Sequence, residues 1–200
     1  MKKSLGYEIL MTALVLVIIA GVAGAVLGLV NHFTAVDAEE LIARKATAVY
    51  DGELTRYVTP PGISQEVAYE KGNVVDVYVS KTQPDVFVVV AEGEGAYKGS
   101  LQLLVNITGG KIVKIAKYDA NETPGLGSKA LEDNFFKQYY GKVITPDFRG
   151  FNLVKGGGAV APDDVHAVSG ASKSSTAVTN AVNAAVKWYQ NRILKQGVQG

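Results

Sequence analysis

The sequence predicts an α+β chain: a single N-terminal transmembrane helix followed by a domain with a mainly antiparallel sheet packed by helices. Three observations predict it. Residues 9–30, ILMTALVLVIIAGVAGAVLGLV, carry no charge and only Thr12 as a polar interruption. Between residues 74 and 118, four segments of alternating apolar residues follow one another. On either side of that block lie stretches whose apolar residues recur at helical spacing.

At ~1.5 Å per residue the first run crosses the ~30 Å hydrocarbon core of a bilayer. A cleaved signal peptide is the rival reading, because Ala23-Gly24-Ala25 resembles a small-residue cleavage site. The run is longer than a signal core and continues through Val30, which favours a retained anchor. Lys2 and Lys3 precede it, whereas His32, Asp37, Glu39 and Glu40 follow. That asymmetry puts the N-terminus in the cytoplasm and the main domain outside, although Arg44 and Lys45 weaken the bias. Ala20, Gly24 and Gly28 recur every four residues and would let a neighbouring membrane helix approach closely. Glycine and alanine are also simply common in membrane helices. The chain therefore divides into an anchor with short flanks, residues 1–35, and an extracytoplasmic domain, residues 36–200.

Residues 38–50, AEELIARKATAVY, have helical spacing, with Leu41, Ile42, Lys45 and Val49 on one side. The Pro-Pro-Gly of residues 59–64 stops that segment. VVDVYVS, DVFVVVAE, SLQLLVNI and KIVKIAKY then read as four successive strands. In the third, Leu101, Leu103, Val105 and Ile107 share a face opposite Gln102 and Asn106, and Gly109-Gly110 suits a tight hairpin turn before the fourth. The strands should form an antiparallel meander with one face covered by helices. Residues 128–142 read as an amphipathic helix through Leu131, Phe135 and Tyr139. The turn-rich residues 148–164 lead to a closing helix from about Ser175 to Lys195, with Val178, Val182, Ala185 and Tyr189 facing the core.

Composition excludes several functions. The chain has 20 basic and 19 acidic residues, and taking away Lys2, Lys3 and Glu8 leaves the remainder beyond the anchor neutral. A nucleic-acid footprint is therefore absent. With no cysteine there are no Cys-ligated iron–sulfur clusters, no Cys-type zinc and no disulfides. His32 and His166, the two histidines, are too few for a metal site or a convincing triad. GEGAYKG, residues 93–99, lacks dinucleotide-fingerprint spacing and reads as a hairpin connection. No G-x-S-x-G elbow occurs, and Gly170 stands where S-x-x-K would need serine. The sequence offers neither catalytic residues nor metal ligands.

The unusual stretch is AVSGASKSSTAV, residues 167–178, which places four serines at a helix start. The first N–H groups of a helix lack intrahelical partners, and with the positive end of the dipole they stabilise an anion. Gly170 and Ala171 leave the backbone accessible to a bulky group. Equally, Ser172, Ser174 or Ser175 could serve only as helix caps. A second stretch, NETPGLGSK at residues 121–129, fixes a tight loop through Pro124, Gly125 and Gly127. There Thr123 offers a hydroxyl and Leu126 an apolar surface, and an ordinary Pro-Gly turn is the alternative.

HAVSGAS, residues 166–172, resembles the D-x-x-S/T-G-A-T flavinylation motif of the FMN-binding domain family, and NETPGLGSK resembles that family's E-T-P-G-L-G signature. Together with the single anchor, the likeness extends over nearly the whole chain. It is greatest to the membrane-anchored G subunits of Rnf-type ferredoxin:NAD oxidoreductases, with the C subunits of sodium-pumping NADH:quinone oxidoreductases next. The resemblance implies FMN joined by a phosphoester to the hydroxyl of Ser172, with Ser169, Gly170 and Ala171 forming its loop. It places Glu122, Thr123, Gly125, Leu126 and Gly127 beside the flavin. Serine replaces threonine at the acceptor position, which preserves the hydroxyl. His166 replaces the leading aspartate, and the nearest carboxylates are Asp163 and Asp164.

The resemblance thus implies an electron-transfer subunit of an ion-translocating membrane complex, not catalytic alone. Its partners would be the other membrane subunits, met partly through the Ala20/Gly24/Gly28 face, and a flavin transferase during maturation. A stand-alone anchored flavoprotein, or a non-redox anchored binding domain whose serines only cap a helix, are the other readings.

Overall fold

The computed structural model describes residues 5–34, 38–59, 69–157 and 161–195. Lys2, Lys3, Asp37 and the Pro60-Pro61-Gly62 turn of the sequence reading lie outside the described residues. The chain separates into two compact units, Met1–Leu41 and Ile42–Gly200.

The first unit contains helix α1, Leu5–Thr34. Its segment Gly6–Phe33 is long and apolar enough to cross a membrane, with mean hydropathy 2.8. Ile9, Leu16, Val17 and Leu27 all project outward, so no side of the helix is polar. The Thr12 hydroxyl, within the apolar run, is satisfied internally, since its Oγ1 donates to the Glu8 carbonyl at 2.8 Å. Apart from the helix's own backbone, nothing among the described residues lies within 4 Å of a Cβ built at Gly24 or Gly28.

The second unit is built on a five-stranded antiparallel meander in the order β1 to β5: Leu54–Arg56, Gly72–Ser80, Val86–Ala96, Gly99–Thr108 and Lys111–Asp119. All four segments anticipated from alternation are strands, and the short β1 joins them at one edge. Gly109 and Gly110 adopt φ of 55° and 74°, the left-handed pair a two-residue hairpin needs. GEGAYKG is likewise the β3–β4 hairpin, turning at Tyr97-Lys98.

The sheet's principal face carries Val89, Ala91, Leu101, Leu103, Val105 and Ile107, buried with Ala177, Val178, Ala181, Val182 and Ala185 of helix α4, Ser172–Tyr189. This approach is unusually close because Gly72 and Gly93 are cross-strand partners beneath the helix. A Cβ at Gly72 would meet the Asn180 carbonyl at 3.0 Å, and one at Gly93 would meet the Ala181 nitrogen at 2.5 Å. Where the sequence reading covers one face, the structure covers both. Ile42, Ala46 and Val49, from helix α2 (Ala38–Ala46) and the turn after it, pack on Tyr78, Val88, Val90 and Leu104. Asn106, polar on that second face, donates to the Val49 carbonyl at 2.8 Å.

Three elements depart from the sequence reading. Residues 128–142 are not one helix but a 3-10 turn, Gly127–Leu131, a single α turn α3, Asp133–Phe136, and further tight turns. Glu132 is extended (φ −95°, ψ 154°), which interrupts helical hydrogen bonding. Adjacent Phe135 and Phe136 are both buried, a demand that tertiary packing meets against local periodicity. The turn-rich region contains a parallel pair, β6 Asn152–Val154 with β7 Asp164–His166. The closing helix begins at Ser172, and its regular part gives way to a π turn at Gln190–Leu194.

Candidate functional site

The site forms where β7 turns into α4. The Gln138 amide grips the main chain of His166, accepting from its N–H at 2.8 Å and donating to its carbonyl at 3.2 Å. The chain then turns tightly, with Ala171 N–H on the Val168 carbonyl at 2.9 Å and Gly170 at φ 78°. Only glycine takes that conformation without strain. Ala171 is the N-cap and offers no side-chain cap.

The hydroxyls that could have capped the helix are used elsewhere or not at all. Ser175 Oγ accepts from Val168 N–H at 3.1 Å, Thr176 Oγ1 donates to the Ser172 carbonyl at 2.8 Å, and Ser174 Oγ donates to Glu122 Oε2 at 2.5 Å. The hydroxyls of Ser169 and Ser172 make no hydrogen bond among the described residues. An uncapped helix start with a free hydroxyl in its first turn is a site that favours an anion.

Residues 122–127 come to the same place from the end of β5. Leu126 and Ser128 N–H both donate to the Thr123 carbonyl at 3.2 Å. Gly125, at φ 73°, donates to Ser128 Oγ at 2.9 Å. The two stretches border one cleft of 490 Å³, to which Glu122, Thr123, Leu126 and Gly127 contribute opposite Gly170, Ala171 and Ser172. That volume lies in the range of small-molecule and cofactor sites, about 300–1,000 Å³. Ser169 instead lines an adjoining cleft of 460 Å³ with Lys155 and His166, and Gly170 and Ser172 border both. Gly125 lines neither and serves the turn.

Three cleft residues escaped the sequence reading. Tyr97, from the β3–β4 turn, is 72 % exposed and lies 5.4 Å from the Lys173 ammonium, measured to its ring centre. Lys173 and Ser174 complete the wall. The β3–β4 turn carried only a hairpin signal, and a hydroxyl two residues after Ser172 was indistinguishable from a cap.

Of the two carboxylates nearest to His166 in sequence, Asp164 is engaged within its own turn. Asp164 accepts from Asn152 Nδ2 at 3.0 Å and from Ala161 N–H at 2.8 Å. The Ala161 N–H foremost, then Asn152, hold its pKa below the usual carboxylate value. Among the described residues no cluster of His, Asp or Glu could hold a metal ion.

The residues present fit FMN. The uncapped helix start, the free Ser172 hydroxyl and Lys173 suit a phosphate, while Tyr97 and Leu126 offer apolar surface to a flat ring.

Residues 96–187 match the FMN-binding domain. The chain is 30 % identical over 190 residues to the G subunit of the Na(+)-translocating ferredoxin:NAD(+) oxidoreductase complex of Acetobacterium woodii, covering 89 % of this chain and 90 % of that protein. It is 35 % identical over 121 residues to the G subunit of the proton-translocating ferredoxin:NAD(+) oxidoreductase complex of Clostridium ljungdahlii, covering 60 % and 57 %. Similarity to the C subunit of the Na(+)-translocating NADH-quinone reductase of Yersinia pestis is 29 % over 150 residues, covering 70 % and 54 %.

Proposed function

The chain belongs to the FMN-binding domain family, and on that premise we propose that it is the membrane-anchored electron-carrier subunit of an ion-translocating ferredoxin:NAD oxidoreductase complex. In this reading FMN is joined through its phosphate to Ser172 Oγ. The observation that carries it is the single cleft that unites an unbonded hydroxyl, an uncapped helix start and the 122–127 loop.

When bound, the flavin supplies one- and two-electron transfer. The protein's own residues do the rest. The first-turn N–H groups of α4 and Lys173 stabilise the phosphodiester, and Gly170 and Ala171 keep its approach open. Ser169 flanks the acceptor from the adjoining cleft. Glu122, Thr123, Leu126 and Gly127 position the ring, with Tyr97 facing them. A covalent link keeps the carrier from diffusing away on the extracytoplasmic side, where α1 holds the domain at the membrane. Residues 1–35 are the anchor, and the Ala20/Gly24/Gly28 stripe meets a helix of another membrane protein in the complex. A flavin transferase makes the bond during maturation.

The test is intact mass of the protein purified from its native membrane, with flavin fluorescence after denaturing electrophoresis. The expected mass exceeds the polypeptide by one FMN less one water, and Ser172→Ala removes both the increment and the fluorescence. A native protein with only its polypeptide mass refutes the covalent reading.

A further inference from the structure

Ser174 belongs to neither of the stretches the family resemblance assigns to the flavin, yet it joins them. Its side chain is 3 % exposed, and its hydroxyl donates to Glu122 Oε2 at 2.5 Å across a separation of 52 residues. A hydroxyl–carboxylate bond of this length is among the stronger hydrogen bonds in proteins. The backbone is shaped around it. A Cβ at Gly127 would strike Glu122 Oε2 and would lie 2.6 Å from Ser174 Oγ. Gly127 does not have a left-handed φ, so glycine is needed there for room and not for conformation. The 122–127 loop otherwise bonds locally, through the Thr123 carbonyl and Ser128 Oγ, and Leu126 at its tip is 56 % exposed.

We infer that Ser174 is a positioning residue: with Gly127 it latches Glu122, clamping the 122–127 loop to α4 and fixing a carboxylate at the border of the cleft. Without the latch, one wall of the cleft is free to swing and the carboxylate turns to solvent. A carboxylate held beside a flavin opposes the arrival of negative charge, so the latch keeps the flavin's midpoint potential low. This last part rests on the function proposed above; the latch itself does not.

The full-length protein in detergent, before flavin attachment, is compared with Ser174→Ala, Glu122→Ala, the double variant, Glu122→Gln, Gly127→Ala and Ser174→Thr. Amide hydrogen exchange is followed at Leu126, Ser128 and Lys129, with circular dichroism to verify folding. Losing a partly buried hydroxyl–carboxylate bond should speed exchange about tenfold or more in Ser174→Ala. The double variant should exchange no faster than the faster single one, because both remove the same bond. Gly127→Ala should match Ser174→Ala although both latch residues remain. Ser174→Thr and Glu122→Gln should stay near wild type, since each keeps a donor and an acceptor.

In flavin-loaded protein the midpoint potential should move positive in Ser174→Ala and in Glu122→Gln, and stay in place in Ser174→Thr. Wild-type exchange in folded Ser174→Ala, or additive effects in the double variant, overturns the latch. Altered exchange with unaltered potentials overturns the tuning. A native protein without flavin instead sinks the proposed function, and the exchange measurements still decide the latch.

Discussion

Replacing Gly93 by alanine tests whether contact between β3 and α4 holds the domain together. The added methyl would point into the Ala177 carbonyl and lie 2.5 Å from the Ala181 nitrogen and 3.0 Å from the Ala177 carbonyl carbon. All three atoms are helix backbone, so no side chain can rotate away. Restoring ordinary separations of about 3.5 Å to all three atoms, the Ala177 oxygen being the nearest, moves the helix outward by about 1.5 Å. A gap of that size forfeits about half or more of each dispersion contact across it. The partners affected include Val89, Ala91, Leu103 and Val105, which α4 covers. Overpacking of this kind costs about 1–3 kcal/mol, and rigid backbone on the receiving side argues for about 3. For a domain of this size that corresponds to a fall of roughly 6–12 °C in Tm.

The assay is denaturant and thermal unfolding of the full chain in detergent, followed by fluorescence of Trp188. It is the single tryptophan and sits buried with its ring 5.4 Å from Tyr57 and 5.7 Å from Phe87. Gly99→Ala is the control, because Gly99 has φ 108° and nothing within 4 Å of its Cβ position, so it reports backbone strain without collision. If Gly93→Ala unfolds within about 0.5 kcal/mol of wild type, the range of a neutral surface change, the argument from close approach is wrong.

Asp133 is held at a pKa of about 2, foremost by the Lys114 ammonium at 2.8 Å and then by the Tyr140 hydroxyl at 2.9 Å. Its folded value lies below the unfolded one, so its stabilising contribution is complete above pH ~4 and is lost as pH falls towards 2. Lys114→Met should return the carboxyl towards the ordinary range, as carboxyl NMR titration will show. Asn183 accepts from Phe151 N–H at 2.7 Å and donates to its carbonyl at 3.0 Å, both buried. Asn183→Ala strands both of these main-chain groups and should cost about 3 kcal/mol in denaturant unfolding. Gly170→Ala meets no steric obstacle but forces φ 78° on an L-residue, so it should cost about 1 kcal/mol in the same measurement.

What could be read from the sequence follows from how far each signal reaches along the chain. Leu101, Leu103, Val105 and Ile107 alternate over enough residues to mark a strand and its buried face, and the structure places them against α4. The pair β6 and β7 has three residues in each strand, too few for periodicity, and its pairing joins segments twelve residues apart. Leu131, Phe135 and Tyr139 lie inward as their spacing indicated, but a regular helix does not carry them. Phe136 must also be buried, and the Tyr140 hydroxyl reaches Ile115 N–H. Both motifs of the site were visible as local patterns. Their shared cleft was not, because the Glu122–Ser174 bond spans the α3 region and the β6–β7 pair. Tyr97 reaches the cleft only through the meander's geometry, which no residue type announces.

The order of the elements has a consequence for biosynthesis. Every strand that α4 shields is translated before α4 is. Until residues 172–189 emerge, Val89, Ala91, Leu103 and Val105 form an uncovered apolar floor, the kind of surface that draws nascent chains into aggregates or into the hands of chaperones. A chain interrupted just short of Ser172 would keep that floor bare, so polypeptides that stop there should be insoluble and quickly degraded.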